Sequence, residues 1–205
     1  MLRTFLFATT AALTLAACGA GTDSTPANET GMGNGAGTTM AEDTAAQGVG
    51  AAGAPMVNST PDFVTAAAIS DMYEIEASKI ALDKSKSADV KAFAQMMIKD
   101  HTATTAKLKA TLASANVQAT PPTALDDRRQ GLIDNLKSAS AADFDKVYLD
   151  QQTAAHQEAL TVMKSYADDG DTPALKTLAA ETAPKIQMHY DAVRKLDRGG
   201  ADGTN

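Results

Sequence analysis

From residue 19 to residue 58 the chain carries no lysine, no arginine and no aromatic side chain, and most positions are Gly, Ala, Thr or Asn. Such a stretch cannot bury enough apolar surface to offset the entropy of ordering its backbone. It predicts a disordered tether over residues 18–58 and confines any packed core to the C-terminal side of it. A flexible segment of about 40 residues reaches roughly 35 Å, taking 5–6 Å × √n for its root-mean-square length.

The only cysteine, Cys18, closes Leu15-Ala16-Ala17-Cys18 behind a short apolar run that begins after Arg3. One positive charge, a hydrophobic stretch too short to span a bilayer, small residues and then a thiol is the layout of a bacterial lipoprotein signal. Residues 1–17 would be removed and Cys18 lipidated. A cleaved secretory signal with an incidental cysteine, or a short membrane helix, are the other readings of the run. Gly19, not Asp, comes after the cysteine, and by the sorting habit of Gram-negative lipoproteins this directs the chain to the outer membrane. The expected location is therefore the cell envelope, lipid-anchored and facing the periplasm.

Losing Arg3 moves the net charge from −7 to −8. Mild acidity without a basic cluster argues against nucleic acid as a partner and against a polybasic grip on anionic lipid. Membrane attachment would then rest on the acyl chains at Cys18, and other envelope proteins remain open as partners. With Cys18 acylated, no thiol is left for a disulfide, for thiolate catalysis or for a cysteine metal site.

Composition changes at Thr60-Pro61-Asp62, where a capping threonine, a proline at the first helical position and an early acid predict a helix start. From there apolar residues recur three or four apart. Long helices are expected over about 61–84, 87–114, 141–167 and 173–197, with a shorter one over 123–138 after Pro121-Pro122. No stretch alternates with period two. The fold class is all-α: a ferritin-like four-helix bundle with short joins within each helix pair and one long crossover between the second and third long helices, carrying a short extra helix. The domain is placed at residues 59–197, with 198–205 a disordered tail. Pro184 falls inside the last helix and is expected to kink it before His189.

The three histidines, His101, His156 and His189, each fall near the middle of a different long helix. His101 continues the stripe of Phe93 and Met97, and His189 continues Leu175-Leu178-Thr182-Ile186, so both should point inward. His156 shares a stripe with Leu149, Thr153, Leu160 and Met163, one step off the main core line. The first helix has no histidine, but Glu74 lies among Ala67, Ser70, Ala77 and Ala81. Counting 1.5 Å per residue from the turns, Glu74 and His101 differ in height by about 6 Å, and His156 and His189 by about 8 Å. A site of Glu74, His101, His156 and His189 would suit a transition metal such as Zn, Cu, Fe or Mn. The plainer reading makes each histidine a buried group hydrogen-bonded to a neighbour such as Glu74, Asp100 or Asp145.

Other chemistries fail. A ferritin-type di-iron centre needs Glu three residues before His on two helices; here those positions hold Ile98, Thr153 and Ile186. The glycines at 31–37 lack the Lys-Ser/Thr of a phosphate loop, and no strand-to-helix elbow is present for a serine hydrolase. Met72, Met96, Met97, Met163 and Met188 read as gap-filling core.

Several segments resemble a bacterial helical family catalogued as domain of unknown function 4142. They are Glu74-Ile75-Glu76 with Lys79-Ile80-Ala81, Val90 to Met97 with Asp100-His101, Phe144 to Tyr148, His156-Gln157, and Leu178-Ala179-Ala180 through Pro184 to His189. The likeness covers about residues 61–197 and departs at Ala183, where the family has Leu before the proline. It implies a ferritin-like bundle and an envelope location, and marks Glu74, Asp100, His101, Asp145, Tyr148, His156 and His189 as matching positions, with Asp100, Asp145 and Tyr148 supporting the ligands. The expected function is non-catalytic binding of a metal ion or small ligand in envelope homeostasis or stress. The alternatives are a structural or interaction module and, third, a metal-dependent oxidoreductase.

Overall fold

The computed structural model describes residues 57–202, with side chains described as far as Gly199. The expected leader, Cys18 and almost all of the expected tether lie outside the described residues, as does the end of the expected tail. Five helices succeed one another: α1 (Thr60–Lys84), α2 (Ala88–Ser114), α3 (Asp127–Ser138), α4 (Phe144–Asp169) and α5 (Pro173–Asp202). Among the described residues there is no strand, and no helix is long and apolar enough to cross a membrane.

The ends differ from the sequence expectation for identifiable reasons. The cap of α1 is Ser59, whose hydroxyl accepts from the Asp62 amide at 3.3 Å, and not Thr60. Thr60 instead donates its amide to Asp171 Oδ2 at 3.1 Å and meets the hydroxyls of Tyr166 and Thr172 at 2.8 and 2.7 Å. The helix expected from 123 begins only at Asp127, because the Asp126 carboxylate accepts from the Arg129 amide and fixes the start there. α4 begins at Phe144, three residues late, after a turn in which the Asp143 amide donates to Ser140. α5 runs through Pro184 without ending and continues into the expected tail. Met188, expected in the core, is 51% exposed.

The domain also starts earlier than 59. Val57 is buried in the core, the Asn58 carbonyl accepts from the Asp171 amide at 3.2 Å, and Asn58 Oδ1 accepts from Ser165 at 3.2 Å. A stretch poor in apolar residues thus ends in a buried Val57 and in Asn58, which is bonded to partners more than a hundred positions away.

These contacts set the topology. The start of α1 lies at the α4–α5 turn, and its end lies at the start of α4, where Lys84 donates to the Leu136 and Ala139 carbonyls and sits over the Phe144 ring. α1 is therefore antiparallel to α4, and through the short Ser85–Ser87 join it is antiparallel to α2 as well. α2 and α4 run the same way, so residues 115–143 must carry the chain back along the length of the bundle. That is the long crossover, and α3 within it packs on α1 and α4. The main contacts pair α1 with α2 and α4, and α5 with α4 and α2, which puts α1 and α5 on one diagonal. The connectivity is ferritin-like.

The apolar core is divided. One cluster, including Phe63, Val64, Leu108, Tyr166, Leu175 and Ile186, fills the end near the α4–α5 turn. The other, including Tyr73, Phe93, Met97, Leu136, Phe144 and Val193, fills the opposite end. On every long helix the break between the clusters falls at the polar positions: between Ala68 and Tyr73, Met97 and Leu108, Ala155 and Ala159, and Ile186 and Val193.

The Thr60–Asp171 network makes a checkable statement about pH. Hydrogen bonds from Thr60, with help from Tyr166 and Thr172, hold the Asp171 carboxyl below its ordinary range. A depressed carboxyl pKa contributes stability that is present above the unfolded-state value and is lost as pH falls through the folded one. Asp171→Asn should lower the Tm at pH 7, and the gap to the wild type should narrow as pH falls below the ordinary carboxyl range; thermal melts monitored by circular dichroism at pH 7 and through the acid range check this.

Candidate metal centre

His101 on α2, His156 on α4 and His189 on α5 lie in the layer between the two apolar clusters, Glu74 on α1 lies at its edge just past Tyr73, and each of the four is at most 1% exposed. His156, expected one step off the core line, is as deep as the others. The imidazole rings form a near-equilateral triangle, with centroids 5.8 Å apart for His101–His156 and 5.5 Å for the other two pairs. One nitrogen from each ring lies within 4.8 Å of the others. Around a tetrahedral zinc ion such nitrogens stand about 3.4 Å apart, so closure asks for little more than ring tilts. Glu74 approaches from the His156 side, its Oε1 3.8 Å from His156 Nδ1, beside the histidine triangle.

What each ring does with its other nitrogen decides its chemistry. His101 Nδ1 meets Asp71 Oδ1 at 2.8 Å, His156 Nδ1 meets the Gln152 carbonyl at 2.8 Å, and His189 Nε2 meets Asp100 Oδ2 at 2.9 Å. A carbonyl accepts only, and so does an ionised carboxylate, so each of those nitrogens carries the proton and donates. The remaining atoms, His101 Nε2, His156 Nε2 and His189 Nδ1, are buried with no partner, as is Glu74 Oε2. Three lone pairs thus face one space while an acceptor behind each ring fixes its tautomer and orientation, the arrangement found behind metal-bound imidazoles. A void of about 20 Å³ touches His101, Asp71 and Ser70, room for about one water.

The charges differ among the rings. At His101 burial opposes the cation, but the Asp71 hydrogen bond and the carboxylates of Glu74, Asp71 and Asp100 outweigh it and raise the pKa. At His156 burial prevails, aided by the charge of His101 and opposed by Glu74, and the pKa falls. Burial also pushes His189 down to about 4, against the pull of its Asp100 hydrogen bond. Two of the three rings are accordingly held neutral, the form that ligates metal.

Asp71 and Gln152 were not legible as site residues. Asp71 is 7% exposed and accepts from His101, from Thr104 Oγ1 and from Thr105 Oγ1, the last two at 2.8 Å. Its place one helical turn before Glu74, on the stripe containing Ser70, was the signal that could have found it. Gln152 is fully buried with both amide atoms unpartnered, one turn before His156. Asp100 stands behind His189, whereas Asp145 and Tyr148 do not support the histidines. Tyr148 hydrogen-bonds Ser78 at 2.9 Å and stacks on Phe144. Asp145 lies on a groove with Ser87, Phe93 and Lys195, three turns from His156. Both share the helix of His156 but lie too far along its axis.

Residues 45–196 match the family described as "Domain of unknown function (DUF4142)", and the chain belongs to that family. The match starts upstream of the expected domain, in keeping with the burial of Val57. No curated protein and no solved structure matches the chain.

Removing Asp71 leaves the His101 N–H and two threonine hydroxyls without their acceptor. Asp71→Ala should lower the unfolding free energy by about 2–4 kcal/mol in urea titrations, more than one neutral hydrogen bond accounts for.

Proposed function

We propose that this DUF4142 domain binds one transition-metal ion through His101, His156 and His189, with Glu74 as the neighbouring carboxylate, and that it does so as a lipid-anchored protein of the cell envelope. One observation carries the metal reading: three buried imidazole nitrogens converge without a partner while the opposite nitrogen of each ring is held by an acceptor. If the histidines were only packing groups, three nitrogens and a carboxylate oxygen would be left without a protein partner in the buried layer, each at a cost of about 1–3 kcal/mol where no water reaches it. A bound cation removes the cost of the three nitrogens at once and gives the nearby Glu74 carboxylate a counter-charge. Zn, Cu, Fe and Mn all accept imidazole and carboxylate ligands. The di-iron alternative is disfavoured by the lack of the Glu-x-x-His pairs it needs. The anchor reading rests on Leu15-Ala16-Ala17-Cys18 and the residues before it.

The test is metal stoichiometry on the full chain, produced in a bacterial envelope, stripped with chelator and reconstituted with each of the four metals. Close to one equivalent is expected, lost in a His101→Ala, His189→Ala double variant that keeps its helicity. No uptake of any of the four would sink the site. For the anchor, fatty-acid labelling should mark the wild type and not Cys18→Ser, and the variant should leave the membrane fraction.

A further inference from the structure

The layer holding the histidines also holds an unbalanced set of formal charges. Glu74, Asp71 and Asp100 bring three carboxylates to it, from α1, α1 and α2. Facing them from α5, Lys185 reaches Asp100 Oδ1 at 3.4 Å and is half-exposed. From α3, Arg129 and Arg128 share Glu158 of α4, at 3.2 and 2.7 Å, so the three carry one net positive charge, held at the outer side of the layer where Arg128 is exposed. With all three imidazoles neutral, as ligation requires, three carboxylates and one ammonium leave two negative charges within the layer for a cation to meet; without the ion, the proton favoured on His101 offsets one of them. Asp71 and Glu74 are buried and Asp100 is partly exposed, and a buried charge is costly unless it is paired.

We infer that the cluster selects a divalent over a monovalent cation, with Asp71, Glu74 and Asp100 setting the valence and Lys185 trimming it. This rests on the metal reading above and adds to it the class of ion. Asp71 and Asp100 are positioning residues here, since each touches a ring and acts on the ion through its charge. Coulomb energy scales with the product of charges, so removing one carboxylate costs a divalent ion twice the free energy it costs a monovalent one. Lost orientation of a ring, by contrast, weakens both ions by the same factor. The ratio of the two losses separates charge from geometry.

The experiment titrates the stripped full chain, its Asp71→Asn and Lys185→Met variants and a His189→Ala control with Co²⁺ and, separately, Ag⁺, by calorimetry with competition. Co²⁺ should bind at one equivalent and the control should lose it. If Asp71→Asn weakens Ag⁺ by a factor f, it should weaken Co²⁺ by about f². Lys185→Met should tighten Co²⁺ by about 10-fold and Ag⁺ by about 3-fold, and because Lys185 is half-exposed this arm survives if Asp71→Asn folds poorly. Equal factors for both ions in Asp71→Asn, or no gain in Lys185→Met, would overturn the valence inference while one-equivalent binding left the metal reading standing. Failure of both ions to bind wild type would remove the metal reading first, and this inference with it.

Discussion

Everything in this bundle is arranged around one awkward plane: a layer of imidazoles, carboxylates and an amide laid across the middle of what would otherwise be a continuous apolar seam. Leaving a buried polar atom unpaired costs about 1–3 kcal/mol, and nine such side-chain atoms occur among the described residues, most of them in or beside this layer. The fold tolerates them because the two ends are well packed. Phe63 stacks on Tyr166 at one end and Phe144 on Tyr148 at the other, and the hydroxyls of Tyr73, Tyr148 and Tyr166 all find partners. Natural domains keep such local conflicts mainly where function requires them.

The connectivity serves that plane directly. With α1 and α5 running one way and α2 and α4 the other, each long helix is near its midpoint where it crosses the layer. Each brings at least one polar side chain there while its two halves lie in separate apolar clusters. The crossover through residues 115–143 closes one face with α3, whose Arg129 guanidinium packs over the Tyr73 ring next to Glu74. A simple up-down-up-down bundle would need no such return, and it would leave that face without the additional helix.

Helical periodicity made much of this legible. The stripes through Met97 and Ile186 pointed His101 and His189 inward, and the turn-to-residue counts put Glu74 near the height of His101 and His156 near that of His189. Capping was less legible, since Ser59 and Thr60 both qualify locally and only the distant Asp171 decides which one faces the helix and which the turn. The supporting groups divide the same way. Asp100 lies beside a histidine in sequence, but it bonds to His189 on another helix, not to its neighbour His101. Asp71 was hidden because a lone Asp on a helix reads as solvent-facing unless its partner across the bundle is known. Tyr148 was drawn in by family likeness and Asp145 by that likeness and as a candidate neighbour of the histidines, and neither signal carries information about height along a helix.

A core cut in two by a polar stratum has a mechanical meaning. Cooperative unfolding relies on contiguous apolar contact, and here the two clusters communicate through four helix backbones and whatever occupies the polar layer between them. A core divided in this way favours two cooperative units, one anchored on Phe63 and Tyr166 and the other on Phe93 and Phe144. The midpoint of the bundle is then a coupling joint, stiff when its polar atoms are satisfied and compliant when they are not.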